Sequence, residues 1–477
     1  MESCCAVGRC GPRRPGWPDR PDQVLTSVTL RLENNSRMYL STTATRKLFA
    51  WSLNGILLSF AVYYAFYKLG SQTKDVIRLD ASVAGFSYRK VAELRRPTLL
   101  TSTIADKWKA STWTAQNLHE HLGNVSAYRQ LGDPVFITFH DNKPLEPFVK
   151  GKWSDFNRKV NVSVPSVFSG KGEKERKDTY LYFSQNIGQL KPQFLSDVQP
   201  IKDLVLNDYG VQINLWIGRQ GITTYTHYDA TYNFFVQIEG EKRFTLFPPS
   251  TEMYLYPCLH PHYGHSQIRN LTDIDKTKFP KSSSDVKGID VVLRSGDMLV
   301  LPPFWYHRVE TLKSSVSVNV WNDAPEYLLM DEIYRKPIPL ELDWELSKRA
   351  LMTRLYIHML AQRLELVSDE LVENLFLTRY YPLHGFNPKD ADLAVSSLAR
   401  EEMSDICSSV NWNEHAQKFS GAADRGLREI IPLFSKIADT SIRILLLGNY
   451  IEHLANTCIG TERVYSFLEQ CQRTGLS

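Results

Sequence analysis

HYDATYNFFVQIEGEKRFTLFPP, residues 227–249, holds two runs rich in aromatic and β-branched residues, TYNFFVQI and KRFTLFPP. The Glu239-Gly240-Glu241 break between them predicts two strands joined by a tight hairpin. In extended chain, side chains two positions apart share a face, so His227 and Asp229 can reach one ion together. A His-x-Asp pair is equally at home on a polar loop, and only its surroundings decide between the two readings. On the second run Lys242, Phe244 and Leu246 alternate onto one face. A lysine directed with Phe and Leu into an apolar interior is costly unless an anion meets it there. The other reading is a surface lysine beside a turn.

Outward from this stretch the strand signal continues in VQINLWI (211–217), DVVLRSGDMLVLPP (290–303) and VSVNVW (316–321), with Ser295-Gly296-Asp297 marking another turn. Many short strands that pair locally imply a sandwich or a closed barrel. His307 follows the Leu301-Pro302-Pro303 run, where a second strand of such a barrel passes close to the first. Two imidazoles and a carboxylate fill one face of an octahedron and leave three positions for a chelating 2-oxo acid and dioxygen.

The segments 227–249 and SGDMLVLPPFWYHRVETL (295–312) resemble the JmjC, or cupin-like, Fe(II)- and 2-oxoglutarate-dependent oxygenases, most closely the asparaginyl hydroxylases among them. The resemblance covers about 180–325. It implies a mostly β fold with α additions, built on a double-stranded β-helix (jelly-roll, cupin) barrel. It also implies that His227, Asp229 and His307 hold the iron and that Lys242 binds the distal carboxylate of 2-oxoglutarate. Thr224 and Tyr182 resemble the hydroxyl partners of that carboxylate, with Tyr180 competing for the tyrosine's place. Asn233 and Asn319 resemble the amides lining the cosubstrate's other end, with Asn319 and Trp321 on one strand face.

The implied function is hydroxylation of a side chain in a protein or peptide substrate. A demethylase and a modified-tRNA hydroxylase are alternatives within the superfamily, and a non-catalytic binding protein on the same fold is another. Gly264-His265 stand where the asparaginyl hydroxylases carry an Arg-Gln pair that grips the substrate, so substrate identity does not transfer. The run LHPHYGHSQ (259–267), with His260, His262 and His265, reads as a solvent-facing loop in preference to a metal or substrate site.

The 477 residues exceed one ordinary core, and 43% hydrophobic with 23% charged residues exclude a disordered chain. A net charge of +4, without a basic stripe interleaved with aromatics, gives no nucleic-acid footprint. The seven cysteines are scattered without a CxxC pair, which argues against structural zinc.

Four regions follow. Residues 1–47 form an irregular tail. Residues 48–68 read as a transmembrane signal anchor, because LFAWSLNGILLSFAVYYAFY (48–67) carries no charge over 20 residues. Residues 75–325 form the oxygenase domain, with the barrel core at about 180–325, and the charged run 166–178 reads as an exposed loop within it. Residues 326–477 form a helical region whose apolar three- and four-residue spacing packs onto the barrel or builds a homodimer interface.

Eight Arg and Lys residues precede the uncharged segment, so the positive-inside rule places the tail in the cytosol and the catalytic part in the lumen of the endoplasmic reticulum or secretory pathway. Asn-x-Ser/Thr triplets at Asn124, Asn161 and Asn270 are compatible with that side. A buried helix or a cleaved leader are the other readings of 48–67.

Overall fold

The computed structural model describes residues 75–472 apart from 133, 137–157, 170–178, 208–209, 261, 283–287, 385–396 and 409–411. The tail and the uncharged segment 48–67 lie outside the described residues. Among the described residues, no helix is long and apolar enough to cross a membrane.

Among the described residues twelve strands form the framework: β1 Ile77–Asp80, β2 Thr98–Thr101, β3 Asn124–Leu131, β4 Val135–Phe136, β5 Arg158–Ser163, β6 Thr179–Asn186, β7 Gln212–Gly218, β8 Thr223–His227, β9 Thr231–Phe247, β10 Ile289–Arg294, β11 Met298–Leu301 and β12 Tyr306–Asp323. Hydrogen bonding orders them β1-β2-β11-β9-β12-β7-β6-β3-β5, while β10 pairs with β9, β8 with β12, and β4 with β8. Two strands hold this jelly roll together. The first half of β9 pairs with β11 and with the later half of β12, and its second half pairs with β10 and with the earlier half of β12.

The Glu239-Gly240-Glu241 hairpin of the sequence reading is therefore corrected. β9 runs unbroken through Gly240 and bends there from one layer into the other. Gly240 has φ +82°, and a Cβ would collide with the Ser314 carbonyl on the adjoining strand, so glycine is required by conformation and by space. Sequence shows the interruption, but a bend and a hairpin share the same Gly signal. The turn at Gly296 (φ +93°) joins β10 to β11 as expected. At 166–178, residues 166–169 belong to the short helix Val164–Ser169 and are not loop.

Period-two alternation divides the side chains of the larger layer. Ile213, Leu215, Ile217, Phe234, Val236, Val318 and Val320 face a large apolar core. Their neighbours Asn214, Trp216, Asn233, Phe235, Asn319 and Trp321 have the opposite parity. Phe235 packs there with Phe244, Leu246, Leu293, Leu299 and Leu301, from both layers, in a second cluster that is the barrel interior.

The helices of ten residues or more among the described residues all follow the sheet: α1 Pro325–Tyr334, α2 Leu346–Arg363, α3 Ser397–Ser408, α4 Trp412–Ser435 and α5 Thr440–Ile459. Their buried Leu, Ile and Phe side chains continue the large core without a break from the outer face of the sheet. Cys407 on α3 is joined to Cys471 by a disulfide 64 positions apart, a pairing the scattered cysteine spacing gave no means to read.

Candidate active site

His227 ends β8, and β12 places His307 directly opposite it, with a register shift between His307 and Val309. Asp229 lies just past the strand end, in the connection to β9, so the shared-face argument holds in outcome although the carboxylate is not itself in a strand. One donor atom from each of His227, Asp229 and His307 lies within 4.8 Å of the others. The two Nε2 atoms face the carboxylate, at 3.9 Å for His227 and 3.7 Å for His307.

Each ring is turned by its other nitrogen: His227 Nδ1 lies 2.6 Å from the Tyr225 carbonyl and His307 Nδ1 3.0 Å from that of Trp305. Donation from Nδ1 leaves both Nε2 lone pairs for a metal, the arrangement that ligating histidines need. Burial, then the charge of His227, pulls the His307 imidazole down to about 4, which keeps it neutral and ready to ligate.

Phe304, three residues before His307, is held at φ +65° and donates its backbone N–H to the Asp229 carbonyl at 2.8 Å. A non-glycine residue in this region stores strain, here where the Pro303-Phe304-Trp305 corner fixes Asp229.

Lys242 is 1% exposed. Its Nζ sits 5.2 Å from the Phe235 ring centroid and 5.7 Å from that of Tyr182. Burial alone drives its amine down from 10.5 to about 7, and no acidic side chain among the described residues offsets it. A buried ammonium with aromatic walls and no internal counter-ion is a built receptor for an anion. The surface-lysine reading is thereby replaced.

Tyr182, 4% exposed, is in this interior, hydrogen-bonded to Thr224, and burial raises its phenol far above the usual range. Its ring fits because position 218 is glycine: a Cβ there would stand 3.0 Å from Tyr182. Tyr180, the competitor, instead lies under the Arg219 guanidinium. Asn319 Nδ2 donates to Asn233 Oδ1 at 3.1 Å, and its Oδ1 accepts from Trp216 Nε1 at 2.8 Å and Asn214 Nδ2 at 3.3 Å. The two expected amides therefore meet. Trp216 and Asn214 went unnoticed in sequence, although their parity in VQINLWI would have found them.

The solvent-facing reading of 259–267 is also corrected. His265 forms a β-bridge with His227, and its ring stacks on the His227 ring at 5.5 Å and 14°. Burial, then the charge of His227, lowers the His265 imidazole well below the ordinary histidine value. His260 Nε2 lies 3.4 Å from His453 Nδ1 on α5. The run is polar because it packs against other polar groups, which composition cannot distinguish from contact with water.

A further buried network was not foreseen. Tyr228, between His227 and Asp229, accepts at its hydroxyl from Asn449 on α5 (2.9 Å). Arg379 donates to Asn449 (2.8 Å), Glu252 (2.6 Å) and Glu452 (2.6 Å), and Tyr380 donates to Glu452 (2.9 Å). Burial opposes the charge of Arg379, but Glu452 and Glu252 outweigh it and raise its pKa, so the cation persists.

With this geometry described, comparison with known proteins adds the family. The model of the "Cupin-like domain" matches residues 84–326, about half of the chain. The chain belongs to the cupin-like domain family. Relatives include the lysine-specific demethylase JMJ30 of Arabidopsis thaliana, 36% identical over 226 residues (42% of this chain, 52% of the relative). The HSPB1-associated protein 1 of Rattus norvegicus is 35% identical over 255 residues, 50% of each chain. The tRNA wybutosine-synthesizing protein 5 of Mus musculus is 34% identical over 110 residues, 23% of this chain and 33% of the relative.

The chain thus spans about half or less of these relatives' lengths. The relatives place this cupin-like chain in the JmjC superfamily, whose cofactors are Fe(II) and 2-oxoglutarate. The residues present fit them: the His-Asp-His donor set suits a divalent iron with open positions, and the buried Lys242 amine suits a dicarboxylate.

Proposed function

We propose that this protein is an Fe(II)- and 2-oxoglutarate-dependent oxygenase that hydroxylates a protein side chain. The observation that carries the reading is a buried Lys242, without an acidic partner among the described residues, in the same barrel that brings His227, Asp229 and His307 to one point. In this reading Lys242, Tyr182 and Thr224 receive the distal carboxylate, Asn233 and Asn319 line the opposite end, and the three ligands hold the metal. Bound iron and keto acid supply the power to oxidise a C–H bond with dioxygen.

A protein substrate is favoured over tRNA by the lack of a basic, aromatic-interleaved stripe in the sequence. The test is turnover with proteins trapped on an Asp229→Ala variant, followed by mass spectrometry. A gain of one oxygen atom is expected. Release of formaldehyde without retained oxygen would make the protein a demethylase, and an absent charge-transfer band on anaerobic Fe(II) and 2-oxoglutarate addition would make it a non-catalytic binder.

We also propose that the catalytic part lies in the secretory lumen, behind an anchor at 48–67. The Cys407–Cys471 disulfide supports this, because such bonds persist in oxidising compartments. Protease added to sealed microsomes is expected to spare residues beyond 75, and their digestion would reverse the topology.

A further inference from the structure

Thirteen described asparagines have an assigned burial: 117, 124, 161, 186, 207, 214, 233, 270, 319, 322, 374, 449 and 456. Ten are buried or half-buried. Three are exposed, Asn124, Asn161 and Asn270, and of the thirteen they are the three that stand in Asn-x-Ser/Thr triplets. The number of triplets alone means little, since a chain of this size gathers several by chance. Their coincidence with the exposed set carries more, because nothing in the fold requires it and a bulky, solvated modification does.

The local geometry fits as well. Asn270 Oδ1 accepts from the backbone N–H (3.0 Å) and the hydroxyl (2.8 Å) of Thr272, so both contacts use the oxygen and neither uses Nδ2. On β3 and β5, Asn124 pairs with Ser163 and Asn161 with Ser126, which puts both triplets on one exposed face. β5 ends the strand order of the sheet.

We propose that Asn270, and one or both of Asn124 and Asn161 on their shared face, are N-glycosylation sites. The inference rests on the luminal placement and is independent of the oxygenase reading. In the reaction a polyprenyl-pyrophosphate-linked oligosaccharide is the donor. The bond from its anomeric carbon to the pyrophosphate oxygen breaks, a bond from that carbon to Asn Nδ2 forms, the lipid pyrophosphate leaves, and the amide proton passes to a base of the transferase.

The test uses the full chain expressed in cultured animal cells. Peptide N-glycosidase in heavy-oxygen water should convert Asn270 and at least one of Asn124 and Asn161 to labelled aspartate, with a fall in apparent mass. Asn270→Gln and Thr272→Ala should each remove one glycan, while Fe(II) binding stays at the wild-type level. Unmodified asparagine at Asn270, or at both Asn124 and Asn161, overturns the proposal. If microsomal protease protection holds in that case, only the glycans are lost from the account. If it fails too, the luminal placement falls with them.

Discussion

Asn449 donates a 2.9 Å hydrogen bond to the hydroxyl of Tyr228, joining a helix near the end of the chain to the residue between two metal-facing side chains. The contact spans 221 positions of sequence and is buried at both ends. Asn449→Leu leaves a buried phenol without that donor, at a cost of about 1–3 kcal/mol in chemical denaturation. Because His227 and Asp229 flank Tyr228, Fe(II) affinity should fall several-fold in the same variant. Unchanged metal binding at lowered stability would confine Asn449 to a folding role.

Arg379 holds Glu252 and Glu452 together, the latter with no exposed side-chain surface. Arg379→Met strands a buried carboxylate and should destabilise the protein by roughly 3–5 kcal/mol. Urea titration checks it; a loss below about 1 kcal/mol would show that water reaches the pair.

The Lys242 amine, lowered to about 7 by burial, sets a pH dependence. Below that value the buried ammonium is charged and ready for a dicarboxylate. Above it the site is neutral, so 2-oxoglutarate affinity should decline by up to about tenfold per pH unit. The folded protein without cosubstrate binds fewer protons than the unfolded chain between about 7 and 10.5, so its stability rises with pH through that window. Lys242→Met removes the burial penalty and should stabilise the cosubstrate-free protein at neutral pH and below. Isothermal titration and thermal melts across pH 6 to 9 (roughly the span where the amine changes charge) test both statements.

Gly218→Val pushes a branched side chain against the Tyr182 ring, which a Cβ alone would meet at 3.0 Å. Displacement of that ring weakens 2-oxoglutarate binding by about tenfold or more while leaving Fe(II) binding close to wild type, a split readable by separate titrations.

The Cys407–Cys471 link closes a segment of 64 positions. Cys471→Ser should lower stability by about 2–4 kcal/mol, and reductant should bring the wild type to the same level. An unchanged wild-type melt under reductant would show that the pair is not joined in solution.

The local pattern made most of the barrel legible. Alternation in KRFTLFPP put Lys242 inside, where it lies, and the Gly296 turn was readable because a turn demands a short, permissive residue. The Gly240 bend was misread because conformational permission does not say which way the chain goes next. His265 was assigned to solvent because a polar run looks alike whether it faces water or other buried polar groups. The Asn449, Arg379 and Glu452 network lay beyond reach, since contacts across such separations leave no period in a single sequence. Of the two candidate tyrosines, only packing distinguishes the one beside Lys242.

β12 carries His307 near its start and Asn319 and Trp321 near its end, and it pairs with β9 on both sides of the register shifts between Thr311 and Ser317. The proposed metal ligand and the proposed cosubstrate wall are thus carried by one strand, with the irregular stretch 311–317 between them. Evolutionary tuning toward a new target is channelled away from this strand, into segments such as 262–268, whose His265 touches His227 from outside it.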